Sequence, residues 1–128
     1  MAKITLGKKP ETFVPFPVKF KLPTGEEGVV NVTYKYRDRE EFGAFQNSML
    51  NLGDAVSAIK DGKLDHALMY KQVGAGNAQY LMGCVVAWDL DFPVSVETFE
   101  QLARELPAAV IAMSQAYGLA CTEGRLGN

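Results

Sequence analysis

Few side chains in this sequence can do chemistry, and they are scattered. His66 is the single histidine, so a serine or cysteine nucleophile would have only this base to activate it. It lies in Lys63-Leu64-Asp65-His66-Ala67, without the apolar flanks that tune an imidazole by burial. A surface or half-buried role is expected for it. Cys84 and Cys121 sit in apolar runs, Gly83-Cys84-Val85-Val86 and Leu119-Ala120-Cys121, with no Cys-x-x-Cys pair and no Cys/His spacing. They read as buried thiols of a reducing compartment, because one bridge is a thin framework for a secreted domain. Asp89 and Asp91 flank Leu90 on a presumed loop, where hydrogen bonds in turn geometry account for them better than a metal does. No catalytic residue, metal site or cofactor site is expected, and the chain reads as no enzyme.

Two other motifs imitate ligand sites and fail on context. Gly74-Ala75-Gly76 opens like a dinucleotide fingerprint, but Gln79 stands at the third glycine position and no βαβ unit precedes it. Tyr34 and Tyr36, beside Lys35 and Arg37, have the composition of a base-stacking platform. A net charge of −2 supplies no field for a polyanion, so packing is the expected role and nucleic acid is not an expected partner. Charge is uneven along the chain: residues 1–37 hold seven Lys/Arg against three Glu, and residues 38–128 hold six against twelve acidic residues. Two ordinary solvated faces explain this; a basic front meeting the acidic back of another copy is the alternative.

Elements able to position a binding surface are easier to find than chemistry. At 128 residues, with 48% hydrophobic and 22% charged, the chain supports one domain over 1–128. Its longest apolar run, Tyr80 to Trp88, is too short to cross a bilayer, and no signal sequence is apparent, so the expected compartment is the cytoplasm. Prolines 15 and 17 mark residues 1–17 as an extended arm with a frayed tip. Val18-Lys19-Phe20-Lys21-Leu22 and Val30, Val32, Tyr34, Tyr36 alternate around a Pro/Gly turn, which predicts a β-hairpin over 18–36 with one apolar face.

A helical region over 38–121 is expected to cover that face. Asp38 and Glu41 have capping-box spacing. Phe42, Phe45, Met49, Leu52, Val56 and Ile59 then form a stripe that predicts one long helix, weakened at Gly43 and Gly53 and closed by Asp61-Gly62. Leu64–Val73 reads as a shorter helix, Gly74-Ala75-Gly76-Asn77 as a break, and Ala78–Asp89 as a helix with Leu81, Val85 and Trp88 on one side. Ser95 should cap a helix with Phe99, Leu102 and Leu106 inward. Pro107 should open another, on which Val110, Met113 and Tyr117 share a stripe. Residues 122–128 form a short polar tail. The expected class is α+β, a hairpin followed by four or five packed helices.

The last forty residues resemble a known family. Trp88-Asp89-Leu90-Asp91, Ser95-Val96-Glu97-Thr98-Phe99-Glu100-Gln101-Leu102, Leu106-Pro107-Ala108-Ala109-Val110-Ile111-Ala112-Met113, Ala116-Tyr117 and Glu123-Gly124-Arg125-Leu126-Gly127-Asn128 follow in an order similar to the tail assembly chaperones of long-tailed phages and prophages. The resemblance implies a cytoplasmic helper in virion morphogenesis that binds the tape-measure protein, keeps it soluble and is absent from the mature virion. Phe99, Leu102, Val110 and Met113 become candidates for the partner-binding groove, Met being an adaptable contact. The tail-tube protein and further copies of the chain are the other candidate partners. The family commonly makes a longer product by ribosomal slippage, and Leu126-Gly127-Asn128 can be encoded CTG GGA AAC, which contains a slippery run. Two alternatives stay open: a structural tail or connector subunit that assembles into rings through its hairpin, and a ligand-binding domain with a pocket lined by Trp88 and Tyr80.

Overall fold

The computed structural model describes residues 2–49 and 58–127, the side chain of Lys60 excepted. β1 (Phe16–Lys21) and β2 (Glu27–Tyr34) form the expected antiparallel hairpin, paired from Phe16↔Val32 to Lys21↔Glu27. Alternation sends Phe16, Val18, Val30, Val32 and Tyr34 to one buried face. The connecting turn uses Gly25 at φ 89°, a conformation that costs a residue with a Cβ. Upstream, the Phe13 N–H donates to the Tyr34 carbonyl and the Tyr36 N–H to that of Glu11, each at 3.0 Å. This stretch of the arm therefore continues the β1 side of the ladder.

Asp38 and Glu41 form the capping box in full. The Asp38 N–H donates to Glu41 Oε1 at 3.0 Å, and the Glu41 N–H donates to Asp38 Oδ1 at 2.8 Å. They start α1 (Arg39–Met49), which buries Phe42 and Phe45. Leu52, Gly53 and Val56 of the predicted long helix lie outside the described residues. Its predicted end is different: Ile59 is in a strand. β3 (Ile59–Lys60) and β4 (Lys63–Leu64) pair as a small hairpin, and Asp61-Gly62, at φ 52° and 72°, is its turn, not a helix stop. Two successive positive φ values match the twist of a two-residue hairpin, and Asp-Gly is among the pairs that adopt them.

The expected break at Gly74–Asn77 does not occur. α2 (His66–Met82) starts two residues after Leu64, with Asp65 Oδ1 accepting from the Leu68 N–H at 3.1 Å, and runs unbroken through all four residues. Gly74 has a packing reason to be small: a Cβ built there would stand 3.4 Å from the Cβ of Ala103 on the neighbouring α3 (Val96–Glu105). The predicted helix to Asp89 is also corrected. α2 ends at Gly83, and Val85–Trp88 is a strand, β5, pairing antiparallel with β2 to give the order β1-β2-β5. Leu81, Val85 and Trp88 have helical spacing, but two adjacent β-branched valines and a Trp favour the pleated surface. Asp89 fastens this strand: its Oδ1 accepts from the Asn31 N–H at 2.9 Å and its Oδ2 from Asn31 Nδ2 at 2.8 Å. These bonds of Asp89 run across strands and not within the turn that the sequence suggests.

Ser95 caps α3, accepting from the Thr98 N–H at 3.2 Å, and Pro107 opens α4 (Pro107–Glu123). The molecule is α+β, an N-terminal hairpin followed by four helices among the described residues. α4 lies on β1, flanked by α1 and α3, while α2 packs on α3. Tyr34, Leu81, Phe99, Val110, Met113 and Tyr117 are fully buried in the core between them, each contributing on the order of 1.5–3 kcal/mol through removal from water. After α4 the chain turns at Gly124, φ 69°, and the tail folds back. Leu126 packs on the core and Gly127 lies against the carbonyl of Pro17.

One polar junction joins these layers. Arg37 Nη1 donates to the Gly83 carbonyl and to Tyr117 Oη, both at 2.9 Å, and the Tyr117 hydroxyl donates to the Lys35 carbonyl at 3.0 Å. The guanidinium carbon sits 4.0 Å from the centroid of the Phe45 ring. Beneath it, Tyr34 stacks on Tyr117 at 5.1 Å and donates its hydroxyl to the Met113 carbonyl at 2.7 Å.

Two outcomes are expected. A Cβ at Gly83 would come within 2.6 Å of Phe45 Cε1, so Gly83→Ala should cost about 1–3 kcal/mol in urea denaturation. Asp38 is held below the usual carboxylate range, first by its bond from Lys9 and then by the Glu41 N–H, and Asp89 is held low by the side-chain and backbone donors of Asn31. Folding favours both ionised forms, so their stabilisation is complete above the ordinary carboxylate pKa of about 4 and is lost as pH falls through the lower folded values. Urea midpoints should therefore drop as pH falls below the ordinary carboxylate value of about 4, and Asp89→Asn should flatten that drop.

Candidate protein-binding surface

α4 has an unusual sequence for a helix at a surface. From Pro107 to Thr122 it contains no Asp, Glu, Lys, Arg or His. One face holds Ala109, Val110, Met113, Tyr117 and Ala120, all buried. The opposite face carries Ile111, 55% exposed, with Gln115 exposed and Leu119 half-buried. These three are spaced by four and form a ridge along the helix. A helix with no charge on any side has little polar surface to give to solvent and is normally enclosed. Among the described residues no element encloses this one.

The ridge has a cleft on each side. A cleft of about 470 Å³ lies toward α1, lined by Phe42, Gln46, Tyr80, Ser114, Gly118 and Thr122 together with Gln115 and Leu119 of the ridge. A second, of about 260 Å³, lies toward β1, lined by Pro17, Val18, Lys19, Ala112, Ala116, Arg125 and Gly127, again with Gln115 and Leu119. Small side chains make both clefts: Ser114, Gly118 and Thr122 follow at steps of four on one flank, Ala112 and Ala116 on the other. At the end of the larger cleft, Arg39 Nη2 donates to the Thr122 carbonyl at 2.6 Å.

The model of the phage tail assembly chaperone family matches residues 1–128. The chain belongs to that family. No curated protein and no solved structure matched it in the corresponding searches. In this tail assembly chaperone the long uncharged helix α4 is the candidate surface for protein contact. No helix among its described residues is long and apolar enough to cross a membrane.

The residues singled out from sequence are brought together, but inside the chaperone. Phe99, Val110 and Met113 are fully buried, and Leu102 is half-buried against the core. In this conformation the first three are enclosed by other core groups. The periodic stripe was the inward one. Ile111, Gln115 and Leu119 were passed over, although the uncharged run from Pro107 to Thr122 was visible and marks a helix with too little polar surface for solvent.

The remaining chemical candidates have structural surroundings. Trp88 meets Phe99 edge-on at 5.0 Å and its Nε1 donates to the Phe92 carbonyl at 2.8 Å, whereas Tyr80 packs on Phe45 and lines the α1 cleft. The two rings therefore do not share that cleft. Both cysteines are free thiols. Burial pushes each thiol upward, with Arg37 pulling the other way at Cys84 and the Tyr117 hydroxyl doing so at Cys121. Burial also raises the Tyr80 phenol to about 12. These groups stay protonated at neutral pH and make poor nucleophiles. Among the described residues no three of His, Cys, Asp and Glu converge as metal ligands.

The two faces of α4 should respond differently to substitution. Met113→Ala should cost about 2–5 kcal/mol, because it hollows a packed core. Ile111→Glu should shift stability by no more than about 0.5 kcal/mol, since that side chain meets solvent. Denaturation curves of the two variants beside the parent protein check both expectations.

Proposed function

We propose that this chaperone binds the tape-measure protein along the outward face of α4 and keeps it soluble while the tail tube assembles around it. The observation that carries this reading is the uncharged helix from Pro107 to Thr122, half in the core and half exposed between two clefts. A very long helical protein waiting for its tube presents apolar stripes that aggregate unless covered. A stripe laid on Ile111, Gln115 and Leu119 removes both apolar surfaces from water. Phe99, Leu102, Val110 and Met113 support that face from beneath; a partner reaching the buried three would first have to open the packing of α3 on α4. The protein works by association in the host cytoplasm, without catalysis, and leaves before the virion matures.

Co-expression with the tape-measure protein tests this reading. The tape measure should remain soluble and co-purify with the parent chain. Rescue should fall at least about tenfold with Ile111→Glu, which places a charge in the apolar contact without touching the core. Equal aggregation with and without the chaperone defeats the proposal, and so does finding the protein in purified virions at the stoichiometry of a tail or connector ring.

A further inference from the structure

We infer that the occupant of the α4 face is itself an α-helix, with a narrow uncharged stripe and acidic residues along its flank. The inference rests on the binding role proposed above and specifies the chemistry of the partner. The shape of the site comes first. Ile111, Gln115 and Leu119 form a row of i, i+4 steps, with lower rows of small residues on either side, and the two clefts run along those lower rows. A helical partner can seat its own i, i+4 rows in both, at the crossing angle of about −50° that such rows impose. Ala112, Ala116 and Gly118 let it approach closely.

Hydrogen bonding points the same way. The backbone of α4 is satisfied within the helix, so the ridge itself gives an extended segment nothing to pair with; β1, the edge strand whose Pro17, Val18 and Lys19 line the smaller cleft, lies to one side of it. Thr122 already gives its hydroxyl proton to the Gly118 carbonyl at 2.7 Å. An extended or irregular segment laid along the α4 ridge would bury its own N–H and C=O groups without partners. A helix brings its backbone bonds with it.

Charge then selects among helices. Lys19 and Arg125 line the smaller cleft, and Arg39 stands at the end of the larger one. No acidic residue lines either cleft among the described residues, and the nearby Glu123 of α4 sits 3.1 Å from Arg125, which it partly neutralises. A second copy of the chain placed on this face by a two-fold axis would set the same basic rim against itself. A helix flanked by Glu or Asp meets the rim with opposite charge.

Two synthetic helical peptides with the same Ala/Leu stripe, one flanked by Glu and the other by Lys, test this by fluorescence anisotropy with the full-length chain. The Glu peptide should bind about tenfold tighter, and the advantage should shrink at about 0.5 M salt. The double variant Lys19→Glu/Arg125→Glu should reverse the preference, and Ile111→Glu should weaken both peptides. Equal binding of the two peptides to the parent chain overturns the inference, as does a free protein whose dimer dissolves on Ile111→Glu. Failure of both peptides while the tape measure is still rescued in co-expression also overturns it, yet leaves the chaperone reading standing. Loss of rescue as well removes that reading too.

Discussion

The architecture depends on one guanidinium group placed where four segments meet. Arg37 follows β2, and its Nη1 bonds the Gly83 carbonyl between α2 and β5 and the hydroxyl of Tyr117 on α4, while its plane covers Phe45 of α1. Charge-assisted bonds of this kind are worth about 1.5–3 kcal/mol each when geometry is good, more than a neutral pair. Their larger effect is positional. Hydrophobic burial alone would let α4 slide or roll across the sheet, because apolar contact is non-directional. The chain Arg37–Tyr117–Lys35, together with the bond from Tyr34 to the Met113 carbonyl, sets which side of α4 faces inward.

Local signals with a stereochemical cause were legible in the sequence. The alternation of β1 and β2, the Asp38/Glu41 box, Ser95 and Pro107 each act within a few residues, and each stands where local chemistry puts it. The misread segments are those in which one residue pattern satisfies two structures. Leu81, Val85 and Trp88 suit a helix by spacing and a strand by side-chain shape; pairing with β2, distant in sequence, decides between them. Asp61-Gly62 ends helices and also turns hairpins, and only Ile59↔Leu64 pairing distinguishes the two. Gly74 and its neighbours look like a break until Ala103 is seen to need the space.

The candidate surface was legible only in part, for a related reason. On an amphipathic helix the apolar stripe is the inward one, and Val110 and Met113 were found by that logic. They are indeed the inward residues, and a core is where such a stripe leads. On a helix without charges the informative quantity is what the opposite side lacks. Ile111 and Leu119 are ordinary residues; only their position on an outward face with no ionisable group separates them from the core-facing residues of the same helix. Arg37 escaped notice differently. In the sequence it stands only as a basic neighbour of the Tyr34/Tyr36 stripe, and its acceptors, Gly83 and Tyr117, are remote in the chain.

On α4 the inner and outer rows share no residue. The inner row answers to the sheet, to α1 and to α3, and a change there is felt throughout the molecule. The outer row answers to solvent or a guest, and a change there leaves the scaffold as it was. Under the proposed binding role, recognition and folding are separate heritable traits written on one helix. Such a protein can follow the drift of a partner through substitutions at a few outward positions while its interior remains constant, and lineages with different guests can keep one architecture beneath dissimilar surfaces.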